Sequence, residues 1–511
     1  MNAQSSTPEF AATLIEDGAT VAITAAGGGL LEPEAICAAI EKRFLETGHP
    51  RDLTLVNALG FGDAGQTIGI NHFAHKGLLK RVIVGLWSWS GRMQAMAEAG
   101  EIEAYCLPGG AIMQLFREIG AGRPGLFTHV GLGTFVDPRL GGGKCNSRTT
   151  EDIVELLEID GKEVLRYKPF KIDVGIVRGT YADPRGNIST IQEPADLDVS
   201  AVAMAAHNSG GKVIAQVRET VAAHGLPPRD IRVPGVLVDH VVAVPDQKQT
   251  HRAVYEPELS GQALSDDPKT LTNGAAATGV RGIIARRAAR ELVPGTVVNF
   301  GFGIPGGIAN MLLEAGTIDD YWLTVEQGSH NGAVVDGALF GAAVNPETIV
   351  SSVKQFDFYS GGGLDISCLG MGEVDALGNV NVSHLGGRLV GTGGFIDISQ
   401  NARKLVFCGT FEAKGFKGGP ENGALRIDTP GSVRKFVSRV AHLTFSAEQA
   451  RERGQNVIYV TERAVFRMTG SGLELIEFAP GTDIERDILS RMDFRPEVVN
   501  PRPMDPTLFA K

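Results

Sequence analysis

The residue best equipped for chemistry is a carboxylate, Glu326, within Tyr321-Trp322-Leu323-Thr324-Val325-Glu326-Gln327-Gly328-Ser329-His330-Asn331-Gly332. The five residues before it are mostly apolar, include two aromatics and a Val, and read as a short buried strand. Gly328 and Gly332 then break the chain into turns that a Cβ would hinder. An exposed carboxylate, with an ordinary pKa near ~4.3, is ionised at pH 7 and needs no general base to act as a nucleophile. Solvation is what weakens it, so a dry pocket would make it more reactive. Attack on a thioester would give an acyl anhydride and a thiolate. Charge would build on a carbonyl oxygen, where backbone N–H groups of a glycine loop can stabilise it. Gly391-Thr392-Gly393-Gly394, after Arg388-Leu389-Val390, is a candidate loop. Close helix–sheet packing explains those glycines as well, and a solvated loop residue is the plain alternative for Glu326.

A second pattern competes for the same acid. Gly301-x-Gly303-x-x-Gly306 follows a strand-like run and opens a helix, with Glu326 twenty positions after Gly306. That resembles the dinucleotide fingerprint, in which the acid binds a ribose hydroxyl and the function would be nicotinamide-dependent redox chemistry. Pro305 and Gly307 are unusual inside such a turn, and the fingerprint leaves the downstream glycine loops without a purpose.

Positioning these groups requires rigid elements, and the chain is long enough to build them. Its 511 residues exceed one core, so two or more domains are expected. Hydrophobic content of 43% and charged content of 21% fit a soluble globular protein. A net charge of −11 disfavours a nucleic-acid footprint, which needs a basic face. No apolar run is long enough to span a bilayer, and Met1 to Phe10 lacks a basic-then-apolar leader, so a cytoplasmic location is expected. Cys37, Cys106, Cys145, Cys368 and Cys408 are scattered with no CxxC pair, which supports neither a disulfide framework nor a metal site.

Strand-like runs alternate with helical ones throughout. Thr20 to Ile23 precedes Gly27-Gly28-Gly29 and a helix opened by Pro33. Leu53 to Val56, Arg81 to Val84, Val174 to Val177, Val213 to Val217 and Val236 to Val244 are further strand candidates. Residues 245–279 are polar, carry Pro257 and Pro268 and hold no period, as a linker would. The programme then restarts: Thr296 to Phe300, a glycine turn, and a helix from Ile308 mirror the beginning of the chain. Asp183-Pro184-Arg185-Gly186-Asn187 likewise echoes Asp375-Ala376-Leu377-Gly378-Asn379. Two echoes in the same order indicate a duplicated α/β domain with a mostly parallel sheet in each copy. The expected division is 1–245, a linker over 246–279, and 280–511 carrying Glu326.

Several long motifs occur together: Glu326 and its turn, Phe356-Asp357-Phe358-Tyr359-Ser360-Gly361-Gly362-Gly363, Gly378-Asn379-Val380-Asn381-Val382-Ser383, Gly393-Gly394-Phe395-Ile396-Asp397-Ile398-Ser399-Gln400-Asn401, and Gly131-x-Gly133-Thr134-Phe135-Val136-Asp137-Pro138-Arg139. Taken in order they resemble family I CoA-transferases, nearest to the propionate (acetate/3-oxoacid) CoA-transferase branch. The resemblance spans about residues 20–496. It implies two open α/β domains of the NagB/RpiA/CoA-transferase type, with a Glu nucleophile matching Glu326 and an oxyanion amide in the loop of Gly393 and Gly394. It also implies a ping-pong transfer of CoA between a short acyl-CoA and a carboxylic acid through a glutamyl-CoA thioester. CoA and acyl-CoA are then substrates with no permanently bound cofactor, and the chain forms a homo-oligomer. With water as acceptor the same Glu would make a thioesterase.

Two departures stand out. The family usually carries Pro-Gln-Gly where this chain has Pro108-Gly109-Gly110, so a donor is missing and room for a larger acyl group is expected at Gly109; Gln114, one helical turn on, is a candidate replacement. The turn after Glu326 is unusually polar, and His330 is expected either at the substrate or in solvent. Gly303 is a further candidate at the substrate, and Gly361, Gly362 and Gly391 are candidates to approach CoA through backbone N–H groups.

Overall fold

The computed structural model describes residues 3–63, 65, 67–272, 274 and 277–510. Residues 273, 275 and 276 of the expected linker lie outside the described residues, as do 1, 2, 64, 66 and 511. Short β-branched runs buried on both faces form two parallel sheets, as expected when helices cover both sides. The first sheet uses β1 (Gln4–Ser6), β2 (Thr20–Ile23), β3 (Leu53–Asn57), β4 (Leu79–Val84), β5 (Glu103–Cys106), β6 (Val174–Ala182), β7 (Lys212–Thr220) and β8 (His240–Ala243), in the order β1-β8-β7-β6-β2-β3-β4-β5. Every pair along that path is parallel.

The second sheet is built around β9 (Val297–Phe300), β10 (Trp322–Thr324), β11 (Ser329–His330), β12 (Thr348–Ile349), β13 (Ile366–Gly370), β14 (Lys404–Cys408) and β15 (Asn456–Val460). Their order is β12-β11-β10-β9-β13-β14-β15, and three further strands extend the β15 side. The five strands from β10 to β15 along this path are parallel, while β11 and β12 fold back antiparallel. The chain is thus an α/β protein of two mostly parallel domains.

The duplication extends to hydrogen bonds. Asp173 Oδ2 accepts the N–H of Thr20 at 2.9 Å, and Asp365 Oδ2 accepts that of Val297 at 3.0 Å. Asp183 Oδ1 accepts from the N–H groups of Arg185 and Asn187, and Asp375 Oδ1 from those of Leu377 and Asn379. Thr20 therefore corresponds to Val297. Register then carries the match across the sheet, because Thr20 pairs with Thr54 and Val297 with Trp322. Counting four residues on from each partner, the first-domain counterpart of Glu326 is Ala58.

Residues 246–251 pack onto the first domain and residues 258–272 reach the second, where Asn345 N–H donates to Glu258 O at 2.9 Å and Asp336 N–H to Thr272 O at 2.9 Å. Arg178 donates to the carbonyl of Lys248 at 2.5 Å, and His251 N–H donates to Gly28 O at 3.0 Å. Helices that matter for the site are α1 (Gly109–Gly120), α2 (Ile304–Ala315), α3 (Ser352–Ser360) and the single-turn α4 (Phe395–Ser399). Of the five cysteines, all free, Cys145 is partly buried and the others fully buried. Among the described residues no helix is long and apolar enough to cross a membrane.

Candidate active site

Strand β10 ends at Thr324, and Glu326 follows two residues later at the carboxyl edge of the parallel sheet, where ligand chemistry gathers in such folds. The turn is tight. Gly328 N–H donates to Val325 O at 2.9 Å, and Gly328 has φ +109°. A Cβ there would run into Val350 O, so glycine is required. Glu326 retains some accessible surface, yet its carboxyl is packed among protein atoms. This burial pushes its pKa up to about 7, against the opposing pull of donors from the Gln327 side chain and the Gly394 N–H. Gln327 Nε2 lies 3.3 Å from Glu326 Oε1. A Cβ on Gly394 would overlap Glu326 Oε2, so only glycine brings this amide so close.

The glycine loop is wedged between domains. The N–H groups of Thr392 and Gly393 donate to Gly85 O at 2.6 and 2.9 Å, and Gly393 O accepts Gly109 N–H at 2.8 Å. Gly391 donates to Ser383 O at 3.0 Å and bridges Leu86 across the seam. Of the two expected oxyanion donors, Gly394 faces Glu326, while the Gly393 N–H is already committed to the other domain. The Gly391 N–H is committed too, but within its own domain, to Ser383 O.

Other candidate residues take different places. At Gly109 there is no spare room: a Cβ would come within 2.6 Å of Leu59 Cδ2, so a leucine methyl occupies the space where a larger acyl group was expected. Gln114 is buried and donates to Asp357 Oδ1 at 2.9 Å, tying α1 to α3 instead of facing Glu326. Asp357 also pairs with Arg117. His330 is neither free in solvent nor open to a ligand. Its Nδ1 accepts from Trp322 Nε1 at 2.9 Å, and its Nε2 pairs with Gln355 Oε1 at 2.6 Å.

Gly361 and Gly362 close the C-terminal turn of α3, with N–H groups given to Asp357 O and Tyr359 O. They precede β13, at the opposite edge of the sheet from Glu326, so they offer no N–H to a ligand there. Gly303 caps α2 in the turn after β9, the strand beside β10, and so shares the sheet edge with Glu326. Beside it Phe302 is 63% exposed, with its ring edge-on to Phe340 at 5.8 Å.

Sequence reasoning passed over Asp397. It is fully buried and accepts Gly110 N–H across the domain seam at 3.1 Å. The available signal was an acid set inside the otherwise apolar run Phe395-Ile396-Asp397-Ile398. Cavities of about 680, 310 and 290 Å³ are lined by other residues, the largest by Arg426, Arg463 and Arg491 among others.

Two duplicated parallel domains that enclose a buried strand-end Glu against a glycine amide define a class, and sequence comparison agrees: the chain belongs to the coenzyme A transferase family, as a family I CoA-transferase, and is an enzyme of that kind. The family profile matches residues 5–244. The chain is 42% identical over 502 residues to acetate CoA-transferase YdiF of Escherichia coli K12, covering 98% of this chain and 94% of that one. It is 43% identical over 515 residues to caffeate CoA-transferase of Acetobacterium woodii, covering 98% and 96%. The crystal structure of acyl-CoA transferase YdiF from E. coli O157:H7, a thioester complex with CoA, superposes with a TM-score of 0.94 at 40% identity over 100% of this chain and 96% of that one. This membership removes the nicotinamide reading of Gly301-x-Gly303-x-x-Gly306.

Proposed function

We propose that the chain moves CoA between a short acyl-CoA and a carboxylic acid by a ping-pong route in which Glu326 is the nucleophile. The observation that carries this is the contact of the Glu326 carboxyl with the Gly394 N–H inside the domain seam. The carboxylate attacks the thioester carbonyl, the C–S bond breaks, and CoA leaves as thiolate, giving an anhydride. The thiolate then attacks the Glu326 carbonyl and expels the first acid, leaving a glutamyl-CoA thioester. The acceptor acid reverses both steps. During attack on the Glu326 carbonyl, negative charge develops on the oxygen that already lies against the Gly394 N–H, so this amide is prepared for the step that makes and breaks glutamyl-CoA. Support comes from the solved relative, described as a thioester complex with CoA.

Relatives acting on acetate and on caffeate bracket the acid as a monocarboxylate. Gly303 at the shared sheet edge belongs to the substrate side. No permanent cofactor is required by this chemistry. A cytoplasmic homo-oligomer, with domains over 1–245 and 280–511, completes the reading. The deciding experiment mixes the protein with acyl-CoA and no acceptor, followed by intact-mass spectrometry. A single CoA adduct on Glu326 with slow hydrolysis is expected; sustained hydrolysis without an acceptor would make the enzyme a thioesterase.

A further inference from the structure

The seam holds a second acid that the reaction does not consume. Asp397 lies in α4, is 0% exposed, and accepts Gly110 N–H from α1 of the other domain at 3.1 Å. The N–H of Ala111 faces it as well. The first N–H groups of a helix have no partner within it; here those of α1 are given to the catalytic loop. Gly109 donates to Gly393 O, and Gly110 to Asp397, so two consecutive amides dock the helix onto residues 393–397. Gly394 lies between these two anchors.

The consequence is geometric. The Gly393 carbonyl and the Gly394 N–H belong to one planar trans peptide and point in opposite directions. Holding the carbonyl on Gly109 therefore turns the Gly394 N–H the other way, onto Glu326. The remaining oxygen of Asp397, Oδ1, has no hydrogen-bond partner, and no ion pair reaches this residue among the described residues. A Cβ on Gly110 would come within 2.5 Å of that oxygen, so the fit is tight. Burial holds the Asp397 acid well above the usual carboxylate range, with the nearby Glu326 adding to the effect. This leaves Glu326 to carry the negative charge that attack requires.

Building on the assignment of Glu326 as nucleophile, we infer that Asp397 is a positioning residue for CoA transfer, clamping the N-terminus of α1 across the domain seam so that the Gly393–Gly394 peptide aims its N–H at Glu326. It acts as a hydrogen-bond acceptor and not as a charge.

The test uses full-length Asp397→Ala, Asp397→Asn and Glu326→Gln, with kcat and KM measured for acyl-CoA plus acceptor, and adduct formation followed by intact mass. Asp397→Ala is expected to lower kcat by about 30- to 100-fold, the scale of a misplaced catalytic group, with KM changed less than about threefold. Asp397→Asn, whose amide oxygen can still accept Gly110 N–H, is expected to recover about tenfold of that loss. If the alanine variant does not fold, Asp397→Ser, too short to reach Gly110, is expected to show the same kcat loss. A kcat within about threefold of wild type in the alanine or serine variant, a loss confined to KM, or an asparagine variant as slow as alanine would each overturn the clamp. Adduct formation or turnover by Glu326→Gln would instead overturn the nucleophile, a separate failure.

Discussion

At the scale of residues, burial sets the reactivity of Glu326. With its pKa pushed up to about 7, about half the molecules carry the proposed nucleophile ionised at neutral pH. The half-reaction with acyl-CoA should therefore accelerate as pH rises through about 7, and a single-turnover profile flat from pH 5.5 to 8 would contradict this. The same shift has a stability consequence. A carboxyl whose folded pKa exceeds its unfolded value costs stability as pH rises from about 4.5 to about 7, because the unfolded chain ionises first. Glu326→Gln should therefore lower transfer by at least about a thousandfold, yet melt higher than wild type at pH 8, with the gap narrowing at pH 5. Melting curves at the two pH values check the sign. Gly394→Ala separates packing from chemistry, since Gly394 has φ −87° and needs no special backbone. Its methyl lands on Glu326 Oε2, so kcat should fall by about a hundredfold or more while the far-ultraviolet circular dichroism spectrum is unchanged.

At the scale of elements, strand ends and glycine loops were legible because their signals are local: β-branched runs, then glycine, then a helix. Glu326 at the end of β10 and Gly394 beside it could be read this way. What could not be read is which amide of the loop is free, because those of Thr392 and Gly393 are claimed by Gly85 of the other domain, a partner far away in sequence. The same holds for Gly109. A missing side chain suggests space, but Leu59, from the loop after β3, has filled it. Gly109→Gln should therefore strain the α1 terminus, costing about 1–3 kcal/mol as overpacking does, without shifting acid preference. Denaturant unfolding combined with kcat/KM ratios across acids of different size would show otherwise if a specificity change appeared with no loss of stability. Gly361 and Gly362 illustrate the converse error: glycine after a helix is as much a cap signal as a ligand signal, and only sheet direction shows that they face away from Glu326.

At the scale of the whole molecule, the proposed function depends on the seam between the copies. Gln114 and Arg117 on α1 hold Asp357 on α3. Because Arg117 and Asp357 are 38% and 41% exposed, their ion pair contributes little stability. Asp357→Ala should therefore shift Tm by only a degree or two, yet raise the ratio of acyl-CoA hydrolysis to transfer by letting water reach the acyl intermediate; an unchanged ratio would show that the contact does not seal the site. The duplication itself was visible in two sequence echoes, while the pairing of Thr20 with Val297 needed coordinates. That pairing puts Ala58 where the second copy carries Glu326. The Ala58 carbonyl accepts Gly85 N–H at 3.1 Å, and Gly85 O in turn receives the loop amides of Thr392 and Gly393. Corresponding positions of the two copies thus do different work: one bears the proposed reagent, the other is an anvil for the loop that serves it. On the proposed mechanism two matching halves thus turn over one acyl group per chain, and placing an acid at residue 58 would undermine the existing centre before it could create a second.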